Sequence, residues 1–65
     1  MKVKYFEDTD TLYVELSASD VVETKELNEN IYIDVDAKGR VVNFTIEHAK
    51  AARGKLDFSY ETIAA

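Results

Sequence analysis

Apolar and polar residues alternate along this chain in two stretches of the same design. In the first, Val3 and Tyr5 alternate with Lys2, Lys4 and Phe6. After Glu7-Asp8-Thr9-Asp10, Leu12, Val14 and Leu16 alternate with Thr11, Tyr13 and Glu15. In the second, Ile31, Ile33 and Val35 alternate with Tyr32, Asp34 and Asp36. After Ala37-Lys38-Gly39-Arg40, Val42, Phe44 and Ile46 alternate with Val41, Asn43, Thr45 and Glu47. A period of two makes a strand with one dry face and one wet face. Each stretch therefore predicts a hairpin, and two hairpins sharing a dry face predict an antiparallel sheet. The turns agree: Asp side chains bond nearby backbone N–H groups, and Gly39 suits the positive φ of a tight hairpin turn. The expected core is Val3, Tyr5, Leu12, Val14, Leu16, Ile31, Ile33, Val35, Val42, Phe44 and Ile46.

Three segments lie outside that pattern. Residues 21–27 are rich in β-branched and charged side chains and fit a strand near a sheet edge better than a helix. His48-Ala49-Lys50-Ala51-Ala52-Arg53 is a run of mostly good helix formers closed by Gly54, which predicts a helix of one or two turns. In residues 56–63, Leu56, Phe58, Tyr60 and Thr62 alternate again, as in a strand. The expected fold class is α+β, one small domain over residues 1–65. It is a small antiparallel β-meander of about four strands, followed by a short helix and a C-terminal strand or extended tail.

Composition adds a constraint on stability. A chain of 65 residues buries only roughly 60% of the surface its unfolded form exposes, and such a core rarely supplies more than about 3–5 kcal/mol. There is no Cys, so neither disulfides nor thiolate metal sites can supplement it. A second copy of the chain is the expected supplement, as a two-fold dimer. Tyr13 and Tyr32, on the wet sides of their strands, and Phe58 and Tyr60, in the tail, are the candidate interaction residues.

Charge narrows the partners. Thirteen acidic against eight basic residues give a net charge of −5. That balance repels nucleic-acid phosphates and suits a basic protein partner. No segment approaches the ~20 apolar residues of a membrane span. The N-terminal residues read as a strand and not as the apolar core of a signal peptide, so the expected location is cytoplasmic.

The sequence holds no complete catalytic or cofactor motif. Asp34-Val35-Asp36-Ala37-Lys38-Gly39 has the opening spacing of a calcium loop, but Lys38 stands at a ligand position and Thr45 where the closing Glu belongs. A hairpin turn is the expected role. Glu7, Asp8 and Asp10 likewise read as a surface turn. His48 is the single His; its neighbour Glu47 is expected on the opposite face, and no serine lies in a nucleophile motif. With Gly39 and Gly54 the only glycines, dinucleotide and phosphate loops are excluded. No metal, cofactor or catalytic residue is expected.

A resemblance joins these pieces. Met1-Lys2-Val3-Lys4-Tyr5, Asp8-Thr9-Asp10-Thr11-Leu12-Tyr13-Val14-Glu15-Leu16, Val21-Val22-Glu23-Thr24-Lys25-Glu26-Leu27, Ile33-Asp34-Val35-Asp36, Gly39-Arg40-Val41-Val42 and Ile46-Glu47 follow in that order. This ordered set resembles the small bacterial and archaeal family labelled domain of unknown function 2283, over roughly residues 1–53. The family's typical Asp-Ala-Leu-Tyr stands here as Asp10-Thr11-Leu12-Tyr13. The resemblance implies no established activity. Its one specific implication is an antitoxin-like role, since some members are thought to be encoded beside a small toxin. Three functional readings follow. The leading one is a non-enzymatic interaction module, antitoxin-like in its sharpest form, binding a small basic protein. The others are an orphan structural domain and a small enzyme using His48, against which the missing base partners argue.

Overall fold

The computed structural model describes residues 1–64. Five strands form one antiparallel sheet: β1 (Lys2–Phe6), β2 (Thr11–Glu15), β3 (Glu23–Asn28), β4 (Ile31–Val35) and β5 (Val41–Glu47). Their spatial order is β1-β2-β5-β4-β3. The class is all-β, which corrects the α+β expectation. The expected meander of about four strands becomes five strands with the last one inserted at the centre. β5 pairs with β2 on one side and β4 on the other. Strands β2 to β5 thus have Greek-key order, with residues 16–22 as the long connection. That connection is tied down where it leaves and where it arrives. Leu16 and Ser17 N–H both donate to the Val42 carbonyl, at 2.8 and 3.2 Å, and Val22 N–H donates to the Val35 carbonyl at 2.9 Å.

The turns form for local reasons. Asp36 Oδ1 accepts from the N–H groups of Lys38 (2.9 Å) and Arg40 (3.0 Å), while Gly39 adopts φ 78°. Asn28 Oδ1 accepts from Asn30 N–H at 2.8 Å in the β3–β4 turn. Each is a side chain standing in for a backbone partner. Two irregularities interrupt the ladders. Val41 and Val42 together face Val35, and Leu27 is an extra residue in edge strand β3. The bulge and the charges Glu23, Lys25 and Glu26 blunt that edge against further pairing.

The predicted helix does not form. Residues 48–54 make a hydrogen-bonded turn, with Ala52 N–H donating to His48 O at 3.1 Å and Gly54 N–H to Lys50 O at 2.7 Å. His48 at φ 55° and Gly54 at φ 83° bracket it. Both lie in the left-handed region, so helical geometry cannot extend past either end, and the costly first turn is never repaid by propagation. Residues 56–64 contain no strand, so the strand alternative of the expected C-terminal strand or extended tail is corrected. Among the described residues, no helix is long and apolar enough to cross a membrane.

The result is one layer. Its extents are 36 × 34 × 18 Å, with a radius of gyration of 13.0 Å, where about 11 Å is usual for a chain of this length. Among the described residues, Val14, Val35, Val42 and Ala49 are the buried apolar ones, and no large side chain is completely enclosed.

Candidate interaction surface

Strand register sorts the side chains into cross-strand rows. On one face the rows are Val3–Val14–Phe44–Ile33–Lys25 and Tyr5–Leu12–Ile46–Ile31. This is the expected dry face. Val14 is only 3% exposed at its centre, because neighbours flank it on both sides. The rest of the two rows, outside edge strand β3, stays half-buried.

The opposite face carries the rows Lys4–Tyr13–Thr45–Tyr32–Glu26 and Lys2–Glu15–Asn43–Asp34–Thr24. Two of the four interaction residues expected from sequence, Tyr13 and Tyr32, are thereby brought together, one on each side of Thr45. Lys4 Nζ stands 5.9 Å from the Tyr13 ring centroid, within reach of a cation–π attraction. Tyr32 sits among carboxylates. Glu47 first and Glu26 second push its phenol upward, because each disfavours a second negative charge nearby. Glu15 and Asp34 flank the next row, so four carboxylates and two lysines share this face. Phe58 and Tyr60 are not part of it: they lie in the irregular tail, 55% and 79% exposed.

Asn43 stands on this face as its alternation predicts, but it is buried. It is 4% exposed, and its Oδ1 has no hydrogen-bond partner among the described residues. A buried acceptor without a donor is destabilising, and β-branched residues suit a central strand. Asn43→Val is expected to raise stability by about 1–2 kcal/mol, read as a higher urea midpoint at unchanged slope.

Asp10, which the sequence reading placed in a plain surface turn, ties the β1–β2 turn to the turn after β5. Its carboxylate accepts from the Tyr5 hydroxyl at 2.6 Å, from Lys50 N–H at 2.8 Å and from Ala51 N–H at 3.0 Å. Its own carbonyl accepts from Ala49 N–H at 3.0 Å. Ala49 is fully buried at this junction. Asp10 adopts φ 54°, a conformation Asp tolerates better than most residues and one that turns the carboxylate inward. No motif spacing announces a contact across forty residues; the Asp at a left-handed turn position is the only local signal.

This latch sets a pH window. The Tyr5 hydrogen bond, and then the two backbone donors, hold the Asp10 carboxyl below its ordinary value. Asp36 is held down too, first by Arg40 N–H. Their contributions are full above the unfolded carboxyl value near 3.8 and disappear as pH falls through the folded values. The Tyr5 phenol, hydrogen-bonded to Asp10, is pushed up to about 12. Its contribution is full below the ordinary 10.0 and is lost as pH climbs from there toward 12. Absorbance titration at alkaline pH should show Tyr5 ionising late. Tyr5→Phe should remove that late step and flatten the alkaline loss of stability. A Tyr5 phenol titrating at the ordinary 10.0 contradicts the latch.

The remaining candidates part company. Asp34 accepts from the Thr24 hydroxyl at 2.5 Å across the β3–β4 pair. Asp36 closes the hairpin turn and pairs with Arg40 Nε at 3.1 Å. The calcium-like spacing is thus two carboxylates with separate structural duties. Among the described residues, no group of three or more His, Cys, Asp or Glu side chains is placed to hold a metal ion. His48 is exposed in the turn after β5.

A family model described as "Protein of unknown function (DUF2283)" matches residues 2–50. The match takes in all five strands and the start of the turn held by Asp10, and it bears out the resemblance read from the residues. No curated protein and no solved structure matches the chain.

Proposed function

The chain belongs to the domain of unknown function 2283 family, and on that premise we propose that it is a non-enzymatic protein-interaction module whose tyrosine-bearing sheet face receives a small basic protein. The observation that carries this reading is the pairing of Tyr13 and Tyr32 around Thr45, with Glu15, Glu26, Asp34 and Glu47 in the same and neighbouring rows. Tyrosines give a rigid contact area with a polar tip. Carboxylates beside them supply the field that draws in Lys and Arg and the acceptors that bind them. The net charge of −5 favours the same encounter at longer range. An antitoxin-like role in the cytoplasm is the sharpest form of this reading, and its support is the family resemblance together with this acidic face.

The test is a nuclear magnetic resonance titration of the full chain with a synthetic arginine-rich peptide. Shifts should concentrate at Tyr13, Tyr32 and Thr45, and binding should weaken steeply as salt screens the charges. Glu26→Gln combined with Glu47→Gln should weaken it at least several-fold. An absence of binding, or shifts confined to Leu12, Phe44 and Ile46, leaves the orphan structural reading in its place.

A further inference from the structure

We propose that the apolar face of the sheet is covered by the same face of a second copy of this chain, giving a two-fold sandwich of two five-stranded sheets. A sheet that is apolar on one side must bury that side against another layer. Among the described residues no second layer of helix or strand forms: the 48–54 turn is pinned at the Asp10 end, and residues 56–64 form no element, with Phe58, Tyr60 and Ile63 standing exposed.

Area argues for the size of the missing layer. The chain exposes 5118 Å², where a folded monomer of 7.4 kDa exposes about 4,200 Å². The surplus of about 900 Å² matches the ~800 Å² that each partner brings to a standard interface. Part of it belongs to the tail, where Phe58, Tyr60 and Ile63 stand exposed, and part to the single-layered sheet, whose apolar rows stay half-buried.

Charge argues for the occupant. Across β1, β2, β5 and β4, the rows of this face hold no charged side chain; Tyr5 is their one ionisable group, and its hydroxyl is engaged by Asp10. Lys25 and Glu23 lie only at the β3 margin. A basic protein finds no carboxylate here to bind. A surface of Val, Leu, Ile and Phe is instead complementary to itself, and isologous two-fold pairing places like upon like. Two aligned sheets about 10 Å apart would interdigitate these side chains. The carboxylates of each chain then face outward, so the net charge opposes pairing only at a distance. The sandwich leaves both tyrosine faces free and stands independently of the basic-partner reading.

The experiment is light scattering of the full chain across concentration and salt, with hydroxyl-radical footprinting of the same samples. At micromolar concentration the mass should be about twice 7.4 kDa, and added salt should preserve or tighten the pairing. Leu12, Phe44 and Ile46 should gain protection on association, while Tyr13 and Tyr32 should not. Ile33→Lys, which makes the net charge less negative, should be monomeric with its sheet spectrum kept. Lys4→Glu, on the other face and making the net charge more negative, should still pair. A parent chain that stays monomeric to about 1 mM, the floor of measurable affinity, overturns the proposal. So does a dimer that survives Ile33→Lys, that is lost in Lys4→Glu, or that protects Tyr13 and Tyr32 instead. Should Ile33→Lys not fold, the footprint of the parent decides alone. A monomeric chain that still binds the arginine-rich peptide loses the sandwich and keeps the interaction module.

Discussion

Val14→Asp is expected to abolish the fold, leaving an unstructured far-ultraviolet spectrum at neutral pH. Val14 is the most enclosed residue in its row, held between Val3 on β1 and Phe44 on β5. A carboxylate there would be desolvated on all sides, with the row's one cation, Lys25, three strands away at the β3 edge. Burying an unpaired charge costs several kcal/mol or forces protonation, and the whole domain has only about 3–5 kcal/mol to lose. Partial refolding on acidification would follow the same logic, provided pH stays above the range where Asp10 and Asp36 give up their own contributions. The control is Val41→Ala, at an exposed bulge position, which should melt nearly as the parent does. A folded Val14→Asp chain at pH 7 would mean that the dry face is not the stabilising one.

Phe44→Ala ranks second, and its effect should depend on protein concentration. Phe44 lies between Val14 and Ile33 at the middle of the central strand, yet it is only half-buried in the single chain. Losing the burial it has in the single chain corresponds to about 2 kcal/mol. With a second sheet closed over it, the ring becomes a full core residue, and its truncation should cost about 3–5 kcal/mol. Denaturant midpoints of parent and variant, measured at low and high micromolar concentration, should therefore diverge as concentration rises. A constant difference would place the full weight of Phe44 within one chain.

The face assignment was legible because it needs only local information. Val3, Tyr5, Leu12, Val14, Ile31, Ile33, Phe44 and Ile46 declare one side of a sheet by alternation alone, and they share it. Which strands neighbour one another was not legible. The β2–β5 pairing joins residues some thirty positions apart, and alternation carries no address for a distant partner. The turn after β5 failed as a helix for a related reason. Ala49, Ala51 and Ala52 have high helical propensity, but five residues between two left-handed positions cannot propagate it. Tyr13 and Tyr32 were readable as open-face aromatics; their meeting across Thr45 depended on the strand order. Asn43 and Asp10 were missed because their significance lies in burial and in a contact from far along the chain.

The central position of β5 also governs how the protein comes into being. Without it the molecule is two separate two-stranded hairpins, β1–β2 and β3–β4, which share no ladder. Hairpins of that size are at best marginal in water. Synthesis proceeds from the other end, so the strand that unites the sheet is the last one made. Until Val41–Glu47 has cleared the ribosome, neither hairpin has a neighbour to lean on. The chain therefore passes from almost no persistent structure to the complete sheet in one late step, and a nascent chain stopped at residue 40 offers proteases an open target.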